Sequence, residues 1–350
     1  MHKTAAYAAT SATSPLAPWT LERRAPRTGE VLIDIRYCGV CHSDLHTVRG
    51  DWGPMDYPLV PGHEIVGHVA AVGEGVSRYK VGDAVGVGCF VDSCRTCEHC
   101  QAGEEQYCAE GMVGTYAGRD RSTGEPTQGG YSTRITVHED YVLRIPEGLP
   151  LDRAAPLLCA GITTWSPLKH FGLKAGDELA VVGLGGLGHM AVKLGVALGA
   201  NVTVLSTSEG KRADAQALGA HAFEVVGKDP AAGKKLARRF HMILDTASAA
   251  HDYNLYLGML KVDGTMVLLG MPEPTLVGAG SLVMARRRLA GSLIGGIRET
   301  QEMLDFCAAN GVVSDIELID IADINDAYER MLRSDVRYRF VIDAASFGAA

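Results

Sequence analysis

Apolar and polar positions change rhythm partway along the chain. Up to about residue 150 the apolar residues come in short runs that alternate with polar ones or stop at glycine. Val31-Leu-Ile-Asp-Ile-Arg-Tyr37 alternates like a half-buried strand, and Ser132 to Val137 is rich in β-formers. Ile65 to Val72 and Ala84 to Gly88 are short apolar runs beside Gly-Glu-Gly and Val-Gly-Asp turns. Many short strands with glycine turns predict a barrel-like β domain.

From Glu178 onward, short apolar runs alternate with helical patterns. Strands are predicted at about 179–183, 202–206, 222–226, 241–245, 265–270 and 289–294. Helices fill the gaps over Leu187 to Leu198, Gly210 to Leu218, Ala231 to Phe240 and His251 to Leu260. Alternating strand and helix predicts parallel strands with crossovers, hence a doubly wound sheet of six strands. A further helix is predicted over Glu299 to Ala309, and the tail from Ile316 to Asp343 holds two β runs around a helical Ile324 to Leu332. Periodicity fits this tail to either domain.

With 350 residues, 47% hydrophobic and 21% charged, the chain has the material for two compact domains. A net charge of −8 argues against binding a nucleic-acid backbone, which needs clustered cations. The triplet Arg286-Arg287-Arg288 is too short for that and reads as a solvated face. The longest apolar stretch, Leu179 to Leu205, is broken by glycines, His189 and Lys193, so it reads as strand, turn and helix and not as a membrane span. Met1 to Ala17 has no sustained apolar core, which predicts a reducing, cytoplasmic setting. There, nine cysteines are more use as metal ligands or chemical groups than as disulfides.

Four of them, Cys94, Cys97, Cys100 and Cys108, fall in one polar loop. Two-residue gaps let one turn of backbone present successive thiolates to one ion, and four thiolates close a tetrahedral zinc site. This predicts a structural metal centre. A second set is scattered: Cys41 in Gly39 to His46, His63 beside Glu64 in Pro61-Gly-His-Glu64, and Cys159 in Leu157-Leu-Cys-Ala-Gly161. Two cysteines and one histidine would leave a zinc coordination position open, as catalytic sites do. Sequence distance alone does not assemble them. Cys38, Cys89 and Cys307 read as ordinary buried thiols.

Val181-Val-Gly183-Leu-Gly185-Gly186-Leu187-Gly188 ends a predicted strand and opens a helix. In that setting the first glycine makes the turn, the second lets backbone approach a pyrophosphate, and the third lets helix and strand pack. The next strand ends in Ser206, Thr207 and Ser208, with Lys211 close behind and no acid at the tip. Hydroxyls and a cation suit a 2′-phosphate, so NADP(H) is expected over NAD(H). The same residues also suit the cap of the following helix.

These motifs, with Pro126-Thr-Gln-Gly-Gly-Tyr131 and Ala155 to Gly161, resemble those of the zinc-dependent medium-chain alcohol dehydrogenases. The likeness is to their cinnamyl alcohol dehydrogenase-like, NADP-dependent branch, and it runs from about Tyr7 to Asp343. It implies an α/β protein with a GroES-like β-barrel catalytic domain (1–157 and 297–350) and a Rossmann, NADP-binding domain (158–296). The tail would then belong to the first domain. It implies a catalytic zinc on Cys41, His63 and Cys159, with Glu64 beside it and Asp44 orienting His63, and a structural zinc on the four-cysteine loop. It implies a proton relay from Ser43 through the cofactor ribose to His46, with zinc as Lewis acid. Thr163 would lie beside the nicotinamide, and Arg339 near the pyrophosphate and Glu64. The implied activity is the interconversion of primary alcohols and aldehydes by a homodimer. Trp52, Phe90, Val113, Leu282 and Met284 are candidate pocket residues by position.

Overall fold

A computed structural model describes residues 2–227 and 230–348, with backbone alone for 230–232. The expected domain limits at residues 1 and 350 lie outside these. The chain divides into two compact units: residues up to Cys159 together with those from Gly295 on, and Ala160–Ile294.

In the first unit a seven-stranded sheet is built around Glu30–Gly39. That strand pairs with Ile65–Val72, Arg134–His138 and Arg339–Asp343, all antiparallel. Val31, Leu32, Ile33 and Ile35 are buried along it, and β-branched and apolar side chains of this kind favour a pleated, packed surface. The tail supplies the strands Ile316–Ile319 and Arg339–Asp343, which pair in parallel, and the second joins Tyr37–Gly39. The pattern had left that destination open.

The second unit holds six parallel strands: Glu178–Val182, Asn201–Ser206, Ala222–Val225, Phe240–Asp245, Leu260–Leu268 and Arg288–Gly291. Counted along the chain, their order across the sheet is third, second, first, fourth, fifth, sixth. Leu179, Val181, Val202, Val204, Ile243, Leu244, Met266 and Val267 are all buried, as strands covered on both faces require. Burying each such side chain contributes roughly 1.5–3 kcal/mol. The barrel-type unit and the doubly wound sheet are therefore both present.

Several elements escaped the pattern. Ala160–His170 is helical although it contains Ile162, Thr163, Thr164 and Pro167, all poor helix formers. Burial from Ala160 to Leu168 overrides that preference, and Thr164 Oγ1 donates back to Ala160 O at 2.8 Å. Ala279–Val283 and His42–Arg49 are also helical. The Arg286–Arg288 triplet is not simply a solvated face. Arg286 pairs with Asp263 through both nitrogens, and Arg287 donates to the carbonyls of Leu260, Ser281 and Gly258. Among the described residues, no helix is long and apolar enough to cross a membrane.

Candidate active site

Cys41 stands at the N-cap of the helix His42–Arg49. Asp44, in that helix's first turn, bends its carboxylate back to accept from Cys41 N at 2.9 Å, which satisfies an otherwise orphaned helix-end donor. Its other oxygen accepts from Gly62 N at 3.2 Å and lies 2.8 Å from His63 Nδ1. Asp44 thus ties the loop bearing Cys41 to the turn bearing His63. With Nδ1 engaged, His63 offers Nε2 to an ion.

Cys41, His63, Glu64 and Cys159 converge: one ligand atom from each lies within 4.8 Å of all the others, and all four residues are buried. Cys41 Sγ and Cys159 Sγ are 4.0 Å apart. Ligands about 2.3 Å from a tetrahedral zinc lie about 3.8 Å from one another, so the spacing fits. Glu64 Oε2 is buried without a hydrogen-bond partner, and its Oε1 accepts from Arg339, itself buried. Two soft thiols, an imidazole and an orphaned carboxylate oxygen are the donor set that zinc takes.

The electrostatics agree. The bond from Cys159, helped by Arg339 and His63, holds the Cys41 thiol well below its ordinary range. The same bond, with Cys89 and burial, pushes Cys159 up, so the pair shares a proton that a dication would displace. Burial opposes charge on His63, but Asp44, Cys89 and Cys41 together raise it well above the usual imidazole range. Burial, then Cys41 and Asp44, push Glu64 up to about 8 against the pull of Arg339 and His63.

Cys94, Cys97, Cys100 and Cys108 converge within the same 4.8 Å limit. Backbone N–H groups point at their sulfurs: Cys94 N at Cys108 Sγ and Cys97 N at Cys94 Sγ, both 3.3 Å, and Ala109 N at Cys97 Sγ, 3.4 Å. Backbone bonds from Cys97 and Thr96 bring Cys94 down to about 6. Glu105 of this loop accepts from Ile297 N, the first residue of the helix Ile297–Asn310. No ligand position is left open here, which fits a structural ion.

Ser43 Oγ lies 3.6 Å from Cys41 Sγ. His46 Nδ1 is 2.8 Å from Asp51 Oδ2, and the His46 ring lies 5.4 Å from that of Trp52. Asp51 is a partner that sequence reading missed. Cys89 is a correction: it is only partly buried, and its thiol donates to Leu158 O at 3.7 Å, beside Cys159, whose thiol lowers the Cys89 pKa. Phe90 packs on Tyr141 in the core, and Val113 is buried in a short strand. Leu282 packs against the core of the second unit, while Met284 is exposed.

In the second unit, Gly183 to Gly188 run from the first strand into the helix Gly186–Ala197. Gly183 has φ +85°, and a Cβ on Gly188 would lie 2.3 Å from Gly183 O, so both must be glycine. A Cβ on Gly185 would meet nothing within 4 Å, which leaves room for a phosphate to approach. Gly186 and Leu187 form the first turn of that helix. Gly183 N donates to Leu205 O at 3.0 Å, bringing Ser206, at the tip of the second strand, beside the glycine turn. Thr207 and Ser208 are exposed at this tip, and Lys211 Nζ donates to Leu184 O at 2.9 Å. The turn and the hydroxyl-lined tip fit a dinucleotide carrying an additional phosphate. Thr163 lies in the first turns of the helix Ala160–His170, in this unit. Arg339 belongs to the first unit.

The sequence model of the alcohol dehydrogenase GroES-like domain matches residues 27–147, and that of the zinc-binding dehydrogenases matches 186–309. The chain is 60% identical to NADP-dependent alcohol dehydrogenase C 1 of Mycolicibacterium smegmatis, over 99% of both chains. Its structure is similar to a cinnamyl alcohol dehydrogenase from Sorghum bicolor (48% identity, TM-score 0.94, 98% of each chain). It is also similar to the cinnamyl alcohol dehydrogenase of Helicobacter pylori solved with NADP(H) (40% identity, TM-score 0.91, 98% of each chain).

Proposed function

The chain belongs to the zinc-dependent medium-chain alcohol dehydrogenases, in their cinnamyl alcohol dehydrogenase-like branch, and interconverts alcohols and aldehydes with NADP(H); we propose that Cys41, His63 and Cys159 form its reaction centre. The reading rests on one observation: these three soft donors, with Glu64, meet in one buried cluster separate from the closed four-thiolate loop. The substrates it would serve are primary aromatic or aliphatic alcohols and their aldehydes.

When bound, the zinc supplies Lewis acidity toward the substrate oxygen, and the cofactor supplies or accepts hydride. The chain's own groups do the rest. Asp44 fixes the ring of His63 so that Nε2 faces the cluster. Arg339 donates to Glu64 and offsets part of the burial that opposes its charge, which holds the carboxyl within reach of it. The Ser43 hydroxyl stands next to Cys41, where it can pass a proton to or from the substrate oxygen. His46 Nδ1 is hydrogen-bonded to Asp51 Oδ2, which leaves Nε2 to exchange a proton with solvent. Gly183, Gly185, Gly186, Leu187 and Gly188 would bind the pyrophosphate. Ser206, Thr207, Ser208 and Lys211 would receive the 2′-phosphate, and Thr163 would meet the nicotinamide. Cys94, Cys97, Cys100 and Cys108 would hold a structural zinc.

In this reading the unit carrying both metal clusters is catalytic and the six-stranded unit binds NADP(H). The protein works in the cytoplasm as a homodimer. The pairing surface would be the strand Arg288–Gly291, which ends the six-stranded sheet, with the exposed Leu276, Val283 and Met284 nearby. The test is a panel of primary aldehydes and alcohols assayed with NADPH and NADH, with and without a zinc chelator. The reading requires activity that favours NADPH and is lost on chelation, and chelator-resistant turnover would overturn it.

A further inference from the structure

The segment Gln128-Gly-Gly-Tyr131 carries none of the ligands assigned above, yet it is bonded throughout to the turn that carries His63. Gln128 Oε1 accepts from Val60 N at 2.7 Å, and its Nε2 donates to Pro58 O at 3.1 Å. Gly129 N donates to Val60 O, Tyr131 N to Pro61 O and Gly130 N to Gly62 O, at 2.7, 2.9 and 2.9 Å. The two segments are in direct contact, since a Cβ on Gly62 (φ +104°) would lie 2.6 Å from Tyr131 Cδ1 and 2.9 Å from Tyr131 N. On the far side Arg23, brought down to about 10 by burial, donates to the carbonyls of Gln128 and Gly129. The segment is thus fastened from both sides.

Tyr131 is fully buried, and its hydroxyl donates to Asp44 Oδ2 at 3.2 Å. With Cys41 N, Gly62 N and His63 Nδ1, this gives Asp44 four donors, as many as an ionised carboxylate can accept. Burial and then Asp44 itself push the Tyr131 phenol well up, so it remains a donor. Removing that donor leaves one buried acceptor site of Asp44 without this partner and loosens the hold on the carboxylate that orients His63.

We propose that Tyr131 is a positioning residue: through Asp44 it fixes the His63 ring on the zinc, and the Gln128–Tyr131 segment is the cradle that holds it there. This rests on the reading of Cys41, His63 and Cys159 as zinc ligands. Loss of an outer-shell partner typically lowers metal affinity 10–100-fold. Tyr131 stands one bond further out, so we expect about tenfold, the lower end of that range.

Zinc-loaded wild type and Tyr131→Phe are challenged with graded chelator while zinc per chain is counted, and the cobalt-substituted forms are read by their visible absorption. The thiolate-loop zinc serves as an internal reference. Tyr131→Phe should release the catalytic equivalent at about tenfold lower chelator strength, keep the loop equivalent, and shift the cobalt bands. Equal retention of both ions, or joint release of both, overturns the proposal, since the hydroxyl would then be inert or merely structural. If wild type itself holds only the loop zinc, it is the assignment of Cys41, His63 and Cys159 that fails. Should Tyr131→Phe not fold, Gln128→Ala loosens the same cradle from its partly exposed edge. Selective release there supports the proposal and unchanged release overturns it.

Discussion

Arg339 and Glu64 form an ion pair in the interior of the first unit, with the carboxylate fully buried and the guanidinium 5% exposed. One comes from the last strand and the other from the turn after Gly62, so the pair fastens the tail to the cluster of Cys41, His63, Glu64 and Cys159. Burial alone pushes Glu64 up, and Arg339 is its chief counterweight. Removing one partner of a buried pair typically costs about 3–5 kcal/mol, because the other charge is left alone. Arg339→Leu should therefore lower the unfolding free energy by up to that amount. Below the raised Glu64 pKa the orphaned carboxylate can take a proton, so the loss should grow as pH rises. Denaturant unfolding at two pH values checks both magnitude and sign.

Cys159→Ala should abolish turnover while leaving NADPH binding within about twofold. The thiol lies in the cluster with Cys41, His63 and Glu64, whereas the glycine turn and the hydroxyl tip belong to the other unit. Metal analysis should fall from two equivalents to one, because the four-cysteine loop keeps its own ion. Full activity in this variant with both zincs retained would remove Cys159 from the site.

The carboxyl tip of the second strand should decide between cofactors. Ser206 sits there beside the glycine turn, 9% exposed. Ser206→Asp places a negative charge where the 2′-phosphate is expected. Two like charges at about 4 Å repel by about 4 kcal/mol at an effective dielectric near 20, and screening reduces this. NADPH affinity should drop on the order of 10–100-fold more than NADH affinity. Parallel titrations of both cofactors settle the matter, and equal losses would count against a phosphate at this tip.

What could be read from the sequence follows the range of the interactions. The six strands of the second unit are continuous apolar runs separated by helical patterns, and each run declares itself locally. The four-cysteine loop is equally local. The tail is different: Val341 pairs with Gly39 and Ile342 with Cys38, and nothing in either segment names the other. Cys41, His63 and Cys159 met on the page only through a family resemblance, because their approach is a product of folding. Asp51, Tyr131 and the placement of Cys89 were missed for the same reason. Tyr131 even lies within the motif Pro126 to Tyr131, but its hydroxyl gains meaning only once the loop is laid against Asp44. The helix Ala160–His170 was hidden by its own composition, since threonines and a proline argue against the conformation that burial imposes.

His251 lies in the loop that follows Phe240–Asp245, an inner strand of the six-stranded sheet. His251 Nδ1 lies 2.8 Å from Ala249 O, and Nε2 lies 2.9 Å from Asp245 Oδ2. Both neighbours are acceptors, so the ring satisfies both only when it carries two protons. The bond to Asp245, then that to Ala249 and the charges of Asp245 and Asp252, raise His251 above the ordinary histidine value against the effect of burial. Tyr253 and Tyr256 pack their rings against it and remain neutral phenols, both pushed up by burial and Asp245. A group whose pKa is higher folded than unfolded stabilises fully below the unfolded value, about 6.5. That stabilisation disappears as pH rises through the folded value. Asp245 ends the strand beside Gly183, and its neighbour Thr246 donates from Oγ1 to Val182 O at 2.8 Å, so the loop held by His251 borders the glycine turn. Wild type should therefore melt higher than His251→Gln by a margin that is largest below about pH 6.5 and shrinks steadily above it. Thermal midpoints of both proteins across a pH series measure that margin. A margin that stays constant with pH would mean that folding does not raise the pKa of this ring.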